Sequence, residues 1–354
     1  MDLDELRKKI DELDEQIVSL LNERTDAAAK IGKVKQKTAS DVYVPSREKA
    51  VLERVCELSK RGPLTDKNIR AIYREIMSAA IALETKASIA FLGPESTNSH
   101  QAAVARFGSS VDYLACETIP DVFAAVEKQE ANYGVVPIEN SIEGGVSFTQ
   151  DALITTPLKI CAETYQPISH HLLVKDISQN ISRIYSHPQG LAQCRHWLDR
   201  NLHGVEQQPA NSTARAAEIA AVEPGAAAIA GTLAAERYDL EIRERDIQDS
   251  SGNTTRFLVL GQSYGPPTGQ DKTSVCFGVK HETGALFEAL EPFHKSQINL
   301  LKIESRPSKV KNWEYSFYVD FEGHADDTKV AEALEGLKRH CSVFSLLGSY
   351  PQAM

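Results

Sequence analysis

Between residues 3 and 21 the apolar residues Leu3, Leu6, Ile10, Leu13, Ile17, Leu20 and Leu21 recur in steps of three and four, which lines one stripe of an α-helix. Ala27, Ala28, Ile31 and Val34 continue the pattern more weakly. The spacing predicts one helix of about 35 residues, roughly 50 Å long. Such a helix cannot bury its own stripe; another helix or another chain must cover it. Pro45 marks a break, and Ser46 is the expected N-cap of a second helix from Arg47 to about Lys60. After the Gly62-Pro63 turn, Thr65 caps a third helix that ends near Lys86. Residues 1–86 therefore read as an all-α module.

The texture changes at Ser88. SIAFLG, YGVVPIE, RIYSHP, AAAIAG and TRFLVLG are short apolar runs ending in turn residues, with helical stretches such as Pro120–Gln129, Leu191–Leu202 and Thr213–Val222 between them. Strand alternating with helix implies an α/β module with a largely parallel sheet covered on both faces, here over 88–262. The polar stretch GQSYGPPTGQDK (261–272) reads as a linker. Beyond it, 273–354 gives the order β-α-β-β-α-β, an α+β unit of the split βαβ type. One of its strands is signalled by Trp313, Tyr315, Phe317, Val319 and Phe321 in alternation.

The 354 residues agree with two or three domains. The net charge of −10 argues against bulk nucleic-acid binding. Residues 1–86 carry +1 and the remainder −11, so basic residues at the start act as local clusters and not as a field. No run of about 18 apolar residues is present to span a membrane, and MDLDELRKKI is charged from its second residue, unlike a signal peptide. Cys56, Cys116, Cys161, Cys194, Cys276 and Cys341 are dispersed, with no metal-ligand or CxxC spacing. The chain reads as soluble and cytoplasmic, with reduced thiols.

In the helical module Arg7, Arg24, Lys35 and Arg47 are the candidates for chemistry. Any one alone reads as a solvated surface charge. Arg24 and Lys35, 11 residues apart, differ by about 20° around the helix and about 16 Å along it, so their long side chains could grip one small dianion. Arg7 lies about 25 Å from Arg24 and can contribute only from a partner chain. The segments LRKKIDELDEQIVSLLNER, AAAKIGKVK and REKAVLERV resemble the all-helical chorismate mutase module. The resemblance implies that Arg7, Arg24 and Arg47 hold two carboxylates. It also implies that Lys35 and Glu84 face the ether oxygen and that Glu48 meets the ring hydroxyl. Such a rearrangement is pericyclic, needs no nucleophile, metal or cofactor, and gains from positioning and from charge stabilisation. Glu84 helps only if protonated, which requires burial. Val44 and Ala80 depart from the family's usual polar residues.

In the central module three polar clusters follow strand-like runs: Gly93 to Ser99, Glu139-Asn140-Ser141, and Ser186-His187-Pro188-Gln189. In open α/β sheets ligands bind at the carboxyl ends of strands, often at helix N-termini. Singly, each cluster is ordinary turn and cap chemistry. No GKS/GKT follows the first, and no GxSxG elbow surrounds a serine. Together FLGPESTNSH, VVPIENSIEGG, IYSHPQGLAQC, AAIAG and NTTRFLVL resemble prephenate dehydratase. The implied fold is two α/β lobes, like a periplasmic binding protein, with the site in the cleft. The resemblance implies that Thr255 contacts the departing hydroxyl, that Asn140, Ser186, Gln193, Thr97 and Ser99 position substrate, and that Arg256 binds a carboxylate. Ser96 and Asn98 stand where the family has Gly and an aromatic residue.

Gly284-Ala285-Leu286 and Glu304-Ser305-Arg306 resemble the two signatures of the ACT regulatory domain, implying a phenylalanine site at a domain interface. The whole chain is thus similar to the bifunctional chorismate mutase–prephenate dehydratases. Expected partners are chorismate, prephenate, phenylalanine and at least one further copy of the chain, with no cofactor, nucleic acid or membrane. Two rival readings are a dehydratase whose helices only dimerise and a non-catalytic two-lobed amino-acid sensor.

Overall fold

A computed structural model describes residues 2–38, 43–60, 62–85, 87–307 and 315–353; Trp313 of the expected alternation lies outside them. The chain divides into two compact units, residues 1–88 with 106–112, and residues 89–105 with 113–354.

In the first unit, α1 (Leu3–Thr38), α2 (Pro45–Ser59) and α3 (Asp66–Thr85) are the three expected helices. The start of α2 differs from expectation. Pro45 occupies the first turn and Val44 the cap, with no side-chain cap bond from Ser46. Proline suits that position, because its missing N–H would be unsatisfied there anyway. Thr65 does cap α3, its Oγ1 accepting from Asn68 N at 3.3 Å. A Cβ on Gly32 would lie 2.9 Å from Glu84 Cγ, so this glycine lets α3 approach α1 at Glu84. Much of the α1 stripe stays uncovered within the chain: Leu6, Ile10, Leu13 and Ile17 are 44–56% exposed.

The second unit begins with β1 (Ser88–Leu92), α4 (Asn98–Phe107), β2 (Asp112–Cys116), α5 (Ile119–Glu127), β3 (Tyr133–Asn140), β4 (Gly144–Gly145), α6 (Ser147–Thr155) and β5 (Lys159–Pro167). A second lobe follows: β6 (His171–Val174), β7 (Arg183–Ser186), α7 (Pro188–Gln193), α8 (Arg195–Asn201), β8 (Glu206–Pro209), α9 (Thr213–Val222), β9 (Ala226–Ala230), α10 (Thr232–Arg237) and β10 (Glu241–Glu244). The chain returns through β11 (Thr254–Gly261). The first sheet has the order β2-β1-β3-β11-β5 with β4 beside β3; the second is β10-β6-β9-β7-β8.

Both sheets are mixed and not largely parallel. β1 runs parallel to β3, and β7 to β8 and β9, but β11 is antiparallel to both β3 and β5, and β6 to β9. Strand β11 enters the first sheet from the second lobe, so no βαβ crossover fixes its direction. The apolar runs read from the sequence are interior strands such as β9, buried at every residue. The polar strands β8 and β10, EQQP and EIRE, sit at the edges of the second sheet and show no such run.

The last part is β12 (Asp271–Gly278), α11 (Ala285–Lys295), β13 (Leu300–Pro307), β14 (Tyr315–Glu322), α12 (Thr328–His340) and β15 (Val343–Pro351), the expected βαββαβ order, with sheet order β13-β14-β12-β15. Val275 and Phe277 of β12 pack with the helices. Cys276, Tyr318, Leu347 and Tyr350 join the core of the first lobe. A Cβ on Gly348 would fall 2.1 Å from the Ile160 carbonyl oxygen, so β15 meets β5 too closely there for any side chain.

Candidate functional site

In the helical unit the structure brings Lys35 and Glu84 into electrostatic contact. Burial raises the Glu84 carboxyl pKa, and Lys35 partly offsets the rise. Arg24 has one buried guanidinium nitrogen, Nη1, without a hydrogen-bond partner among the described residues. Arg47 is exposed at the start of α2. Arg7 is exposed, 3.4 Å from Asp4 of its own helix. Glu48 is used differently from the sequence expectation. It accepts from Tyr43 Oη at 2.8 Å and pairs with Arg106 at 2.7 Å and Arg74 at 3.5 Å. Those partners tie α2 to α3 and to the last turn of α4, so Glu48 serves the fold of this unit.

In the second unit a cavity of about 300 Å³ is lined by β1, β3 and β11 of the first sheet and, from the second lobe, by α7 and the residues that lead into β6, α7 and α9. Thr97, Ser99, Asn140, Gln193 and Thr255, all singled out from the sequence, face it together. The register explains the last pairing. Thr255 on β11 lies opposite Asn140 on β3, and Asn140 Nδ2 donates to Thr255 Oγ1 at 2.8 Å. The N-termini of α4 and α9 also reach the cavity, through Asn98 and Ser99 and through Ser212 and Thr213. Thr97 Oγ1 accepts from His100 N and Ser212 Oγ from Arg215 N, which leaves other first-turn amides for a ligand. None of the lining residues is Lys, Arg, Asp or Glu, so the helix N-termini are the positive ends available to an anion.

Two expected ligands are not in this cavity. Arg256, next to Thr255, points to the opposite face as strand alternation requires. Its guanidinium donates to Glu163 at 2.8 Å, Glu139 at 2.9 Å, Asp320 at 2.6 Å and Tyr350 Oη at 3.0 Å. Burial opposes its charge, but Tyr350, Asp320 and Glu163 more than compensate and keep it protonated. Burial also pushes Glu139 up, yet hydrogen bonds from Lys302 and Arg256 hold it below the usual carboxylate range. Arg256 is therefore an ion-pair anchor between the first lobe and the C-terminal sheet. Ser186 is fully buried, and its Oγ donates to the Ile229 carbonyl at 2.7 Å. It ties β7 to β9, with Gly190 close enough that a Cβ would lie 2.5 Å from Ser186 Oγ.

Asn253 and His170, both 4% exposed and both lining the cavity, were not picked out by the sequence. Asn253 carried a usable signal: it lies two residues before Thr255 and shares its strand face. His170 carried none. Its neighbour His171 is equally buried but bonds Asp246 N and Thr232 Oγ1 instead.

In the C-terminal part Gly284 caps α11 with φ +84° and open space around its Cα, a left-handed turn that favours glycine. On β13 alternate residues face the first lobe. Lys302 pairs with Glu139, a Cβ on Gly145 would contact Glu304, and Arg306 Nη1 donates to Ser147 Oγ at 2.6 Å. Ser305 lies on the exposed face.

The sequence matches the family description Prephenate dehydratase over residues 89–264, Chorismate mutase type II over 6–85 and ACT domain over 273–339. A bifunctional chorismate mutase/prephenate dehydratase of Aquifex aeolicus is 48% identical over 100% of this chain and 99% of its own length. A prephenate dehydratase of Arthrobacter aurescens, solved in complex with L-Phe, superposes with a TM-score of 0.69. It is 36% identical and covers 75% of this chain and 90% of its own. GqqA, described as a quorum quenching acylase, superposes with a TM-score of 0.68 at 30% identity, over 75% of this chain and 98% of its own. The two-lobed fold alone therefore does not fix a chemistry. The full-length match and the three domains in order do, and the chain belongs to the bifunctional chorismate mutase/prephenate dehydratase family.

Proposed function

We propose that Arg24 and Arg47, with Arg7 from a second chain, hold the carboxylates of chorismate, while Lys35 and protonated Glu84 meet its ether oxygen. The rearrangement breaks that C–O bond as a C–C bond forms, and negative charge develops on the oxygen that Lys35 and Glu84 stabilise. The raised Glu84 pKa supports a proton being present there. A second copy of the chain on the exposed α1 stripe would cover it and deliver Arg7. The three parts fall near residues 1–86, 88–262 and 273–354.

At the cavity, prephenate loses water and carbon dioxide to give phenylpyruvate. The C–O bond breaks with its pair moving onto oxygen. The C–C bond to the carboxylate breaks with its pair entering the ring, which becomes aromatic. One proton is taken up as the oxygen leaves as water. Thr255 donates to that oxygen, and because a hydroxyl is a weak acid the net proton comes from solvent. The helix N-termini of α4 and α9 take the carboxylates in place of Arg256. The Asn140–Thr255 pair over a cavity without charged side chains carries this reading.

Phenylalanine binds around Gly284, Ala285 and Leu286, with Glu304, Ser305 and Arg306, and lowers dehydratase activity. The L-Phe complex of the Arthrobacter protein supports this, and Glu139, held by Lys302, directly precedes Asn140. All six cysteines are free, in keeping with a cytoplasmic enzyme. The test is one assay of the full chain on chorismate and on prephenate, with and without phenylalanine. Consumption of both substrates with inhibition by phenylalanine is expected. Loss of prephenate alone makes the helices only a dimerisation device, and loss of neither makes the chain a sensor.

A further inference from the structure

The hydrogen bonds around Thr255 have a direction that the backbone fixes. Asn140 Oδ1 accepts from the amides of Ile142 at 3.0 Å and Glu143 at 3.2 Å. Backbone N–H groups can only donate, so the amide orientation of Asn140 is set. Its Nδ2 carries two protons, one directed to Thr255 Oγ1 at 2.8 Å and one to Asn253 Oδ1 at 2.7 Å. Asn253 must then donate through Nδ2, and it does, to Gln193 Oε1 at 3.0 Å. The same oxygen lies 2.9 Å from His170 Nε2, so Nε2 carries the imidazole proton. Gln193 Nε2 donates onward to Glu143 Oε1 at 3.2 Å, which closes a ring back to the residue whose amide began it. Burial lowers the His170 pKa, only partly countered by Gln193, so the ring stays neutral at pH 7.

One consequence falls on Thr255. Its oxygen already accepts a proton from Asn140, so its own hydroxyl proton is left to donate. Among the described residues no hydrogen bond uses that proton, and Thr255 faces the cavity. Were the Asn140 amide reversed, its Oδ1 would take that proton and leave Thr255 only able to accept from the substrate hydroxyl, which would be useless for a departing oxygen.

We propose that Asn253 and His170 are positioning residues for the dehydration: with Gln193 they hold in place the Asn140 amide that the backbone orients, so that its Nδ2 faces Thr255 and the threonine's own proton stays free for the substrate. This rests on the reading that Thr255 meets the departing hydroxyl. Neither residue touches the reacting atoms. Both act through Asn140 and Thr255, by holding that amide in place.

The experiment is steady-state kinetics on prephenate with the full chain, with mutase turnover and thermal unfolding as controls on folding. Thr255→Ala is measured first, because retained turnover there overturns the leaving-group reading itself and not the locking argument alone. Asn253→Ala, and Asn253→Ser should the first not fold, is expected to lower kcat by about ten- to a hundredfold, the loss of one or two aligned hydrogen bonds. KM should move by less than about threefold, since ground-state binding is untouched. Asn253→Asp keeps the acceptor for Asn140 but sets a second acceptor against Gln193 Oε1, and should be at least as damaging. His170→Leu should fall with Asn253→Ala, whereas His170→Gln, which retains a donor at the Nε2 position, should recover most of the loss. In a Thr255→Ala background, Asn253→Ala should change the residual kcat by less than about twofold. Equal losses from Asn253→Ala in both backgrounds would overturn the proposal, as would full turnover in His170→Leu or no rescue by His170→Gln.

Discussion

Around Lys35 and Glu84 the polar groups are long and ionisable, and the site as proposed is completed by a second chain. Around Thr255 none of the lining residues is Lys, Arg, Asp or Glu, and a ring of three amides closed through Glu143, with the Thr255 hydroxyl and the His170 imidazole bonded to it, sits beside the ligand space. Each suits its reaction as proposed. A pericyclic rearrangement needs a conformer held by its charges and one polarised oxygen, which a few cations on helices supply. Expelling a hydroxyl needs a donor whose proton is not spent elsewhere, and a directional hydrogen-bond network keeps that proton free. Strand pairing is what makes the second arrangement possible. The β3–β11 register sets Asn140 against Thr255 on the cavity face and Glu139 against Arg256 on the other. A slip of one residue would set Arg256 against Asn140 and turn Thr255 to the other face.

The sharpest way to break this contrast is to mutate the two neighbours separately. Thr255→Ala should cut dehydratase turnover by about 10²–10³-fold, the cost of one aligned donor, with little change in thermal stability and none in mutase turnover. Arg256→Ala leaves Glu139, Glu163 and Asp320 without their shared cation and should lower unfolding stability by about 3–5 kcal/mol in denaturant titration. If Arg256→Ala instead raises KM for prephenate with stability unchanged, the guanidinium does reach substrate.

The proposed completion of the helical site by a second chain is tested by complementation. Arg7→Ala and Lys35→Ala chains, each inactive as a mutase, should on mixing with subunit exchange regain roughly a quarter of wild-type activity, because half of the sites in each mixed dimer hold both residues. Silence with exchange demonstrated would make the site a single-chain one.

A smaller effect is expected from pH. Burial raises the Glu84 pKa, so the protonated donor is present below that value and lost above it. Mutase turnover should fall by about tenfold per pH unit beyond the inflection, and Glu84→Gln should flatten the profile. An inflection that survives this substitution belongs to another group. The smallest change is expected at Ser186, whose hydroxyl is spent on the Ile229 carbonyl. Ser186→Ala should shift kcat and KM by less than about threefold while costing about 1 kcal/mol of stability.

The sequence by itself determined the elements. Periodicity marked α1 to within a few residues of Leu3–Thr38, apolar runs marked the interior strands, and β12 to β15 with α11 and α12 followed the expected order. Local spacing suffices there, because a buried stripe or run is a property of neighbouring residues. It also named Thr255, Asn140 and Gln193, which lie in or beside recognisable motifs. Tertiary structure decided what the motifs could not. Arg256 and Thr255 are adjacent in sequence and were read as one site, yet the pleat sends them to opposite faces. Ser186 sits in a polar cluster but is sealed between β7 and β9. Glu48 is taken up by Arg74, Arg106 and Tyr43. The mixed direction of the first sheet followed from β11 returning across the lobes and that of the second from β6 running against β9 and β10, and the network around Asn253 and His170 from bonds spanning 23 to 113 residues. A side chain's type is written in the sequence, but its face, its partners and the direction of its hydrogen bonds depend on segments that only folding brings together.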